Sequence, residues 1–217
     1  MSEAAEPIRV GIVDDDALVR TGLAIVLGGA SDITVTGEAQ NGQEALDRLQ
    51  EADVLLMDIR MPVLDGLRAT EEFAARATQP AIIILTTYDA DEHVVRALAA
   101  GAHGFLLKDT PPEQIVAAIR TVADGDPILS PSVTMQLINQ VASSRTPAAD
   151  RTLVEALTDR ELQVARAVGA GASNAEIARE LHMGLATVKA HLAHVFDKLG
   201  ATNRVQVAIR MHHAGLT

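Results

Sequence analysis

The sequence contains no cysteine and no tryptophan, and only 2% of its 217 residues are aromatic. The absence of cysteine excludes a disulfide scaffold, thiol catalysis and thiolate metal sites. With so few aromatic rings, any core has to be built from Leu, Val, Ile and Ala. The apolar share of 48% is still large enough for packed cores, which excludes a disordered chain.

The sequence also has no long hydrophobic run. No apolar stretch approaches the roughly 20 residues of a membrane-spanning helix. The first seven residues carry two Glu and no apolar segment, so they do not have the pattern of a signal peptide. These features predict a cytoplasmic protein without a membrane partner.

Positive charge is scarce in the first part of the chain. Residues 1–151 carry 23 acidic and 11 basic side chains, a net charge of −12, whereas residues 152–217 carry 6 acidic and 7 basic ones, a net charge of +1. A strongly acidic part is repelled by nucleic acid, and a weakly basic part can contact phosphates, although weakly as a single copy. The asymmetry predicts two domains with different tasks.

The first 125 residues alternate short apolar runs with amphipathic stretches. This pattern predicts an α/β fold, a doubly wound five-stranded parallel sheet with helices on both faces. Residues 33–36 alternate apolar and polar side chains, which predicts that the second strand lies at an edge. The predicted strands are 8–13, 33–39, 54–57, 81–85 and 104–107, and the predicted helices are 17–27, 43–49, 67–75, 92–100 and 112–122.

Polar side chains stand where four of these strands end. In an open parallel sheet the carboxyl ends of the strands meet along one edge, where ligands bind. Each feature alone has an ordinary explanation as a solvated turn or a surface residue, but their joint occurrence predicts a site. The residues are Asp14-Asp15-Asp16, Asp58, Thr86-Thr87 and Lys108.

The chemistry of this set points to an anion bound together with a metal ion. Crowded carboxylates require a cation or shifted pKa values, and oxygen ligands with few protein contacts favour Mg²⁺. Lys108 can neutralise a further negative group, and a Thr hydroxyl can donate to a phosphoryl oxygen. Asp58 follows an apolar strand and is the best candidate for a carboxylate nucleophile.

The motifs around these residues resemble the receiver domain of bacterial two-component response regulators. The match covers about residues 7–125 and implies the strand order 2-1-3-4-5. Asp109 follows Lys108 where many receivers have Pro, which resembles the subfamily with a small helix-turn-helix output domain. The motifs are Val13-Asp14-Asp15, Leu56-Met57-Asp58-Ile59-Arg60-Met61-Pro62, Asp65-Gly66, Leu85-Thr86-Thr87 and residues 101–109.

The resemblance implies a role for each residue of the site. Asp58 would accept the phosphoryl group from a phosphohistidine on a sensor histidine kinase and would also be a Mg²⁺ ligand. The other implied metal ligands are Asp15 directly, Asp14 through water, and the backbone carbonyl of Arg60. Thr86 would bind phosphoryl oxygens, Lys108 would form an ion pair with the phosphoryl group, and Phe105 stands at the position of the family's switch aromatic.

A linker is predicted at 126–151, with one helix at 131–141 and a hinge at 142–150. The rest of the chain is predicted to be helical. Thr158 with Glu161, and Ser173 with Glu176, are capping-box pairs that begin helices. A short turn with Gly184 precedes a longer helix, 185–199, and a final helix begins near Thr202. Two helices joined by such a turn predict a helix-turn-helix.

About residues 153–216, in a predicted domain at 152–217, resemble the four-helix DNA-binding domain of the NarL/LuxR family. The resemblance rests on Asn174-Ala175-Glu176-Ile177-Ala178 and Thr187-Val188-Lys189-Ala190-His191-Leu192. The resemblance makes 185–199 the recognition helix. Lys189, Ala190 and Ala193 would face the bases of double-stranded DNA, and Thr187 and His191 would flank them. The family often has Ser at the helix cap where this chain has Gly184.

These observations predict a transcription factor, not an enzyme, that is switched by phosphorylation and binds DNA as a homodimer. An aspartyl-phosphate phosphatase is an alternative, but those enzymes typically carry a second Asp where this chain has Arg60. Two further alternatives are a DNA-binding protein whose receiver is only a dimerisation scaffold and a protein that sequesters partners. The i, i+3 pair His191 and His194 lacks further ligands nearby, which argues against a metal site there.

Overall fold

The computed structural model describes residues 6–76, 79–86, 91–126, 128 and 152–216, with no side-chain description for 91–95. The chain divides into two compact units, residues 1–123 and 124–217. The predicted helix at 131–141, the predicted hinge at 142–150 and Thr87 lie outside the described residues. None of the described helices is both long and apolar enough to cross a lipid bilayer.

The first unit is built on a five-stranded parallel sheet in the order β2-β1-β3-β4-β5, which confirms the predicted fold class. The edge position predicted for the second strand is also confirmed, and the outward residues of β2 are exposed. A change of register between Val10 and Gly11 interrupts the β1–β2 pairing. The strands are β1 (Ile8–Val13), β2 (Ile33–Ala39), β3 (Val54–Asp58), β4 (Ala81–Thr86) and β5 (Gly104–Leu107).

Five helices alternate with the strands, within two residues of the predicted bounds. Three of them begin at a side chain that accepts a hydrogen bond from the helix's own backbone, Asp16, Asn41 and Asp65. Such caps satisfy backbone N–H groups that have no partner inside the helix. The helices are α1 (Ala17–Gly28), α2 (Gly42–Arg48), α3 (Gly66–Ala74), α4 (Asp91–Ala100) and α5 (Pro112–Ala123).

The core of the first unit lies on both faces of the central strands. All five residues of β3 are buried, and so are five of the six residues of β4. Because helices cover both faces, these strands are continuously apolar until the polar residue that ends each of them. Each fully buried Leu or Ile contributes roughly 1.5–3 kcal/mol, so the strand ends rest on a rigid support.

The main helices of the second unit are α6 (Asp159–Gly169), α7 (Asn174–Glu180), α8 (Leu185–Leu199) and α9 (Arg204–His213), and residues 152–155 form a helical turn before them. Both predicted capping boxes are present, with the Thr158 and Ser173 side chains at the starts of α6 and α7. The predicted start of the last helix near Thr202 is wrong by two residues. Asn203 is the cap, because its side chain accepts the backbone N–H of Gln206.

The helices of the second unit enclose one aliphatic core. It is formed by apolar side chains from α6 to α9, among them Val164, Ile177, Val188 and Met211. Gly200 closes α8 in the left-handed conformation at φ 58°, which glycine adopts without steric cost. The aliphatic core leaves one face of α8 exposed.

Candidate functional site

Three carboxylates meet at the carboxyl edge of the sheet. Asp14 and Asp15 directly follow β1, and Asp58 is the last residue of β3. One carboxylate oxygen from each residue lies within 4.8 Å of the other two. Asp14 is fully buried and Asp58 is 7% exposed, whereas Asp15 is exposed. The sheet therefore brings together three residues that are up to 44 positions apart in the chain.

Lys108, directly after β5, neutralises part of this charge. Its Nζ lies 2.6 Å from Asp14 Oδ2 and 3.2 Å from Asp58 Oδ1. Burial raises the pKa of Asp58 above its usual value, and Asp14 adds to this effect while Lys108 opposes it. Burial alone would lower the pKa of Lys108, but the hydrogen bond to Asp14 and the two carboxylate charges raise it.

The donor set fits a magnesium ion. Three carboxylates with oxygen donors only, one of them exposed to solvent, leave room for the waters that Mg²⁺ retains. Asp14, Asp15 and Asp58 are the residues that would hold it. Among the described residues no other group of three potential ligands converges.

The remaining residues predicted for this site lie around the carboxylates. Thr86 ends β4 and is buried, and its backbone oxygen accepts the N–H of Lys108 at 2.8 Å. Phe105 is half-buried on β5, in register with Ile84 on β4. Arg60 is exposed in the segment that follows β3.

The segment between β3 and α3 packs closely against the end of β3. The N–H of Gly66 donates to the backbone oxygen of Ile59 at 2.9 Å, and a Cβ at Gly66 would collide with the backbone oxygen of Asp58. The motif Asp65-Gly66 was recognised in the sequence, but this reason for the glycine depends on the packing. The close approach holds the carboxyl end of β3 in place.

Val63 carries backbone strain in the same segment. Its φ is 67°, in the left-handed region that β-branched residues avoid, and its side chain is 82% exposed. The N–H of Leu64 donates to the backbone oxygen of Pro62 at 2.8 Å, which closes a three-residue γ-turn around Val63. No sequence signal indicated this strain.

In the second unit, the predicted base-facing residues lie on one face of α8. Thr187, Lys189, Ala190 and Ala193 are exposed and His191 is half-buried. Leu185, at the start of α8, is 52% exposed and was not predicted to belong to this face. Gly184 occupies the cap position without a side-chain hydrogen bond.

Acidic residues at the start of the second unit contact the helix-turn-helix. Lys189 Nζ lies 3.2 Å from Asp124 Oδ1 in an exposed ion pair. Asp126 Oδ1 accepts hydrogen bonds from the backbone N–H of Asn174 at 3.0 Å and from Arg204 Nη1 at 2.9 Å. Lys189 therefore already has an anionic partner on the face predicted to contact DNA.

Comparisons with known proteins agree with this architecture. Residues 10–120 match the family model of the response regulator receiver domain, and residues 155–211 match the model of bacterial regulatory proteins of the luxR family. The two matches correspond to the parallel sheet with its helices and to the helical unit. Together they cover both candidate sites.

Full-length relatives share both parts. The chain is 36% identical over 207 residues to the transcriptional regulatory protein LiaR of Bacillus subtilis, covering 94% of this chain and 97% of the relative. It is 33% identical over 209 residues to the nitrate/nitrite response regulator protein NarL of Escherichia coli, covering 95% and 96%. The solved structure of the response regulator ChrA from a heme-sensing two-component system is 35% identical, covers 97% of this chain and 99% of that one, and superposes with a TM-score of 0.51. The chain therefore belongs to the NarL/LuxR family of two-component response regulators, DNA-binding phosphoacceptor transcription factors that join a receiver domain to a luxR-type helix-turn-helix.

Proposed function

We propose that a sensor histidine kinase phosphorylates Asp58 and that the phosphorylated chain binds DNA as a homodimer. The observation that carries this proposal is the carboxylate cluster with Lys108 bridging Asp14 and Asp58 at 2.6 and 3.2 Å. A bound Mg²⁺ together with Lys108 would offset the negative charge of the carboxylates, so that an incoming phosphoryl group is less strongly repelled. We divide the chain accordingly into a receiver at 7–125, a linker at 126–151 and a DNA-binding domain at 152–217. Both partners, kinase and DNA, act in the cytoplasm.

The side chains around Asp58 each have a task in phosphoryl transfer. A carboxylate oxygen of Asp58 attacks the phosphorus of a phosphohistidine, the P–N bond breaks, and the leaving imidazole takes up a proton. Asp14, Asp15, Asp58 and the backbone carbonyl of Arg60 would hold Mg²⁺. When bound, the ion screens the negative charge of the phosphoryl oxygens.

Phosphorylation then changes the contacts of three residues. The phosphoryl group adds about 1.5–2 negative charges, so Lys108 exchanges its carboxylate partners for the phosphoryl oxygens. Thr86 donates its hydroxyl to the same group, and the ring of Phe105 follows into the space that Thr86 vacates. These movements bias an existing conformation whose surface dimerises.

Dimerisation compensates for the weak charge of the DNA-binding domain. With a net charge of +1, a single copy of residues 152–217 has little electrostatic affinity for DNA. A dimer presents two recognition helices about one turn of DNA apart, and the second contact profits from high effective concentration. We propose that Lys189, Ala190 and Ala193 face the bases, flanked by Thr187 and His191. The alanines would contact thymine methyl groups.

The test is the light-scattering mass of the purified chain in Mg²⁺, with and without beryllofluoride as a phosphoryl mimic. The expected result is a shift from monomer to dimer that Asp58→Ala abolishes and Asp47→Ala retains, because Asp47 lies on α2, outside the carboxylate cluster. Intact mass spectrometry after incubation with a small phosphodonor reports loading directly. Phosphate uptake by Asp58→Ala at the wild-type rate would refute the assignment of the phosphoacceptor.

A further inference from the structure

Arg20 contacts the backbone of the acidic segment Asp14-Asp15-Asp16, which follows β1, and has no part in the function proposed above. This residue lies in the first half of α1. Its Nη1 donates to the backbone oxygen of Asp14 at 2.8 Å, and its Nε donates to Glu38 Oε2 at 3.1 Å. The side chain is only 17% exposed, although arginine is among the residues most often found on the surface. The guanidinium is therefore held between α1, the end of β2 and the acidic segment.

The oxygen that Arg20 contacts belongs to the peptide unit between the two predicted metal ligands. This unit is planar, so the direction of the Asp14 carbonyl fixes the direction in which the chain enters Asp15. The neighbouring peptide units are also held, because the N–H of Asp14 donates to Ala39 at 3.1 Å and the N–H of Asp16 donates to Asp14 Oδ1 at 3.0 Å. Arg20 thus completes the restraint on three consecutive peptide units.

We propose that Arg20 is a positioning residue for the magnesium site, an inference that depends on the proposed function. By holding the Asp14–Asp15 peptide, Arg20 keeps the exposed Asp15 carboxylate directed at the cluster before a metal ion arrives. The Arg20 side chain is itself held by its ion pair with Glu38, which directly precedes Ala39 on β2. Partners that orient metal ligands in this way contribute to metal affinity without touching the metal.

The positive charge of Arg20 weakens Mg²⁺ binding, whereas its positioning role would strengthen it. The direction in which Mg²⁺ affinity changes when Arg20 is removed therefore tests the proposal. A guanidinium in contact with the backbone of a metal-ligand segment repels an incoming cation. If charge were the whole effect, removing Arg20 would strengthen Mg²⁺ binding. If Arg20 positions the Asp14–Asp15 peptide, its removal weakens Mg²⁺ binding despite the lost repulsion.

The experiment is calorimetric titration of the full chain with Mg²⁺ for the wild type, Arg20→Met and Arg20→Lys. We expect the dissociation constant to rise on the order of 10-fold in Arg20→Met. The lysine variant retains the charge but has one nitrogen in place of the Nε and Nη1 that contact the two acceptors, so we expect a smaller rise. Arg9→Met is the matched control. It removes the same charge and a similar ion pair, with Asp53, at the opposite end of β1, and it leaves Mg²⁺ affinity unchanged.

A second measurement separates positioning from a general loss of stability. The rate of phosphorylation by a small phosphodonor is measured as a function of Mg²⁺ concentration, and we expect Arg20→Met to reach the wild-type rate at saturating Mg²⁺. Unchanged or tighter Mg²⁺ binding in Arg20→Met would overturn the proposal. If that variant does not fold, Mg²⁺ binding by Arg20→Lys equal to the wild type would overturn it instead.

The two proposals fail in different ways. A wild-type chain that binds no Mg²⁺, or that binds it without phosphorylation of Asp58, refutes the proposed function. A wild-type chain that does both, with Mg²⁺ affinity independent of residue 20, refutes only the role of Arg20.

Discussion

We predict that His103, at the end of the sheet opposite the carboxylate cluster, makes the stability of the receiver sensitive to acid. Its backbone N–H donates to the oxygen of Ile82 at 2.7 Å, and its ring Nδ1 accepts the N–H of Ile82 at 3.2 Å. The side chain thus adds one hydrogen bond between the two strands, just before their backbone pairing begins at Ile83 and Gly104. Burial lowers the pKa of His103 from 6.5 to about 4. Protonation of Nδ1 would remove the acceptor of this hydrogen bond.

The sign of the pH effect follows from the lowered pKa. Above pH 6.5 the imidazole is neutral in both the folded and the unfolded chain, and the contribution to stability is complete. As the pH falls from 6.5 to 4, the unfolded chain binds the proton first, so the folded chain loses stability. From the two pKa values, this residue lowers the free energy of unfolding by about 2 kcal/mol at pH 5 relative to pH 8 and by about 3 kcal/mol at pH 4.

The assay is urea denaturation at pH 8 and pH 5, with unfolding of the receiver followed by hydrogen exchange of β4 peptides. The reference is His103→Asn, whose side-chain oxygen can accept the same N–H and does not titrate. The carboxylates titrate in both proteins, so the difference between the two pH dependences isolates His103. We expect the wild type to lose about 2 kcal/mol more than the variant. An equal loss in both proteins would refute the argument.

Three further predictions concern the two sites. Gly66→Ala places a Cβ against the backbone oxygen of Asp58 and displaces the end of β3. Because small misplacements at a reacting centre slow the reaction strongly, we expect phosphorylation, measured by intact mass, to slow at least about 10-fold. Val63→Asn relieves the strain at φ 67° and raises the free energy of unfolding by about 1 kcal/mol in urea titration. Asp124→Asn releases Lys189 from its exposed ion pair. Because such pairs contribute less than about 1 kcal/mol, we expect the DNA affinity of the unphosphorylated chain, measured by fluorescence anisotropy, to rise by up to about fivefold.

Two of these variants have a matched control. Gly22→Ala adds a methyl group at an exposed position of α1, with no side chain or other element within 4 Å, and we expect phosphorylation to be unchanged. Asp197→Asn removes the same charge as Asp124→Asn from α8 itself. An equal gain in DNA affinity in both Asp variants would show that net charge, and not release of Lys189, is responsible. A loss of stability in Val63→Asn would contradict the assignment of strain.

Much of the secondary structure followed from local patterns. The bounds of β1, β2, β5 and α8 agree with prediction, because strand and helix periods and capping side chains act within a few residues. The start of α9 was misplaced for a reason of the same kind: both Thr202 and Asn203 are capping residues, and Asn203 makes the hydrogen bond.

The candidate residues of the receiver site could be found because parallel strands end at a common edge. Knowing that Asp14, Asp58 and Lys108 each follow a strand was enough to expect them together. The hydrogen-bond partners of the His103 ring and of the Arg20 guanidinium could not be predicted in this way. They depend on the distance between backbone groups of different elements, and several residue types would suit the local sequence equally well.

The sequence by itself determined the two domains' fold classes, the position of β2 at the sheet edge and the chemical types of the side chains at the strand ends. These properties depend on periodicity, composition and short-range hydrogen bonding, which are properties of contiguous residues. The tertiary structure alone decided that Lys108 bridges Asp14 and Asp58, that Gly66 abuts the oxygen of Asp58 and that Lys189 pairs with Asp124. Each of these contacts joins residues that are between 8 and 94 positions apart, and only the packed core sets their separation to within the range of a hydrogen bond or an ion pair.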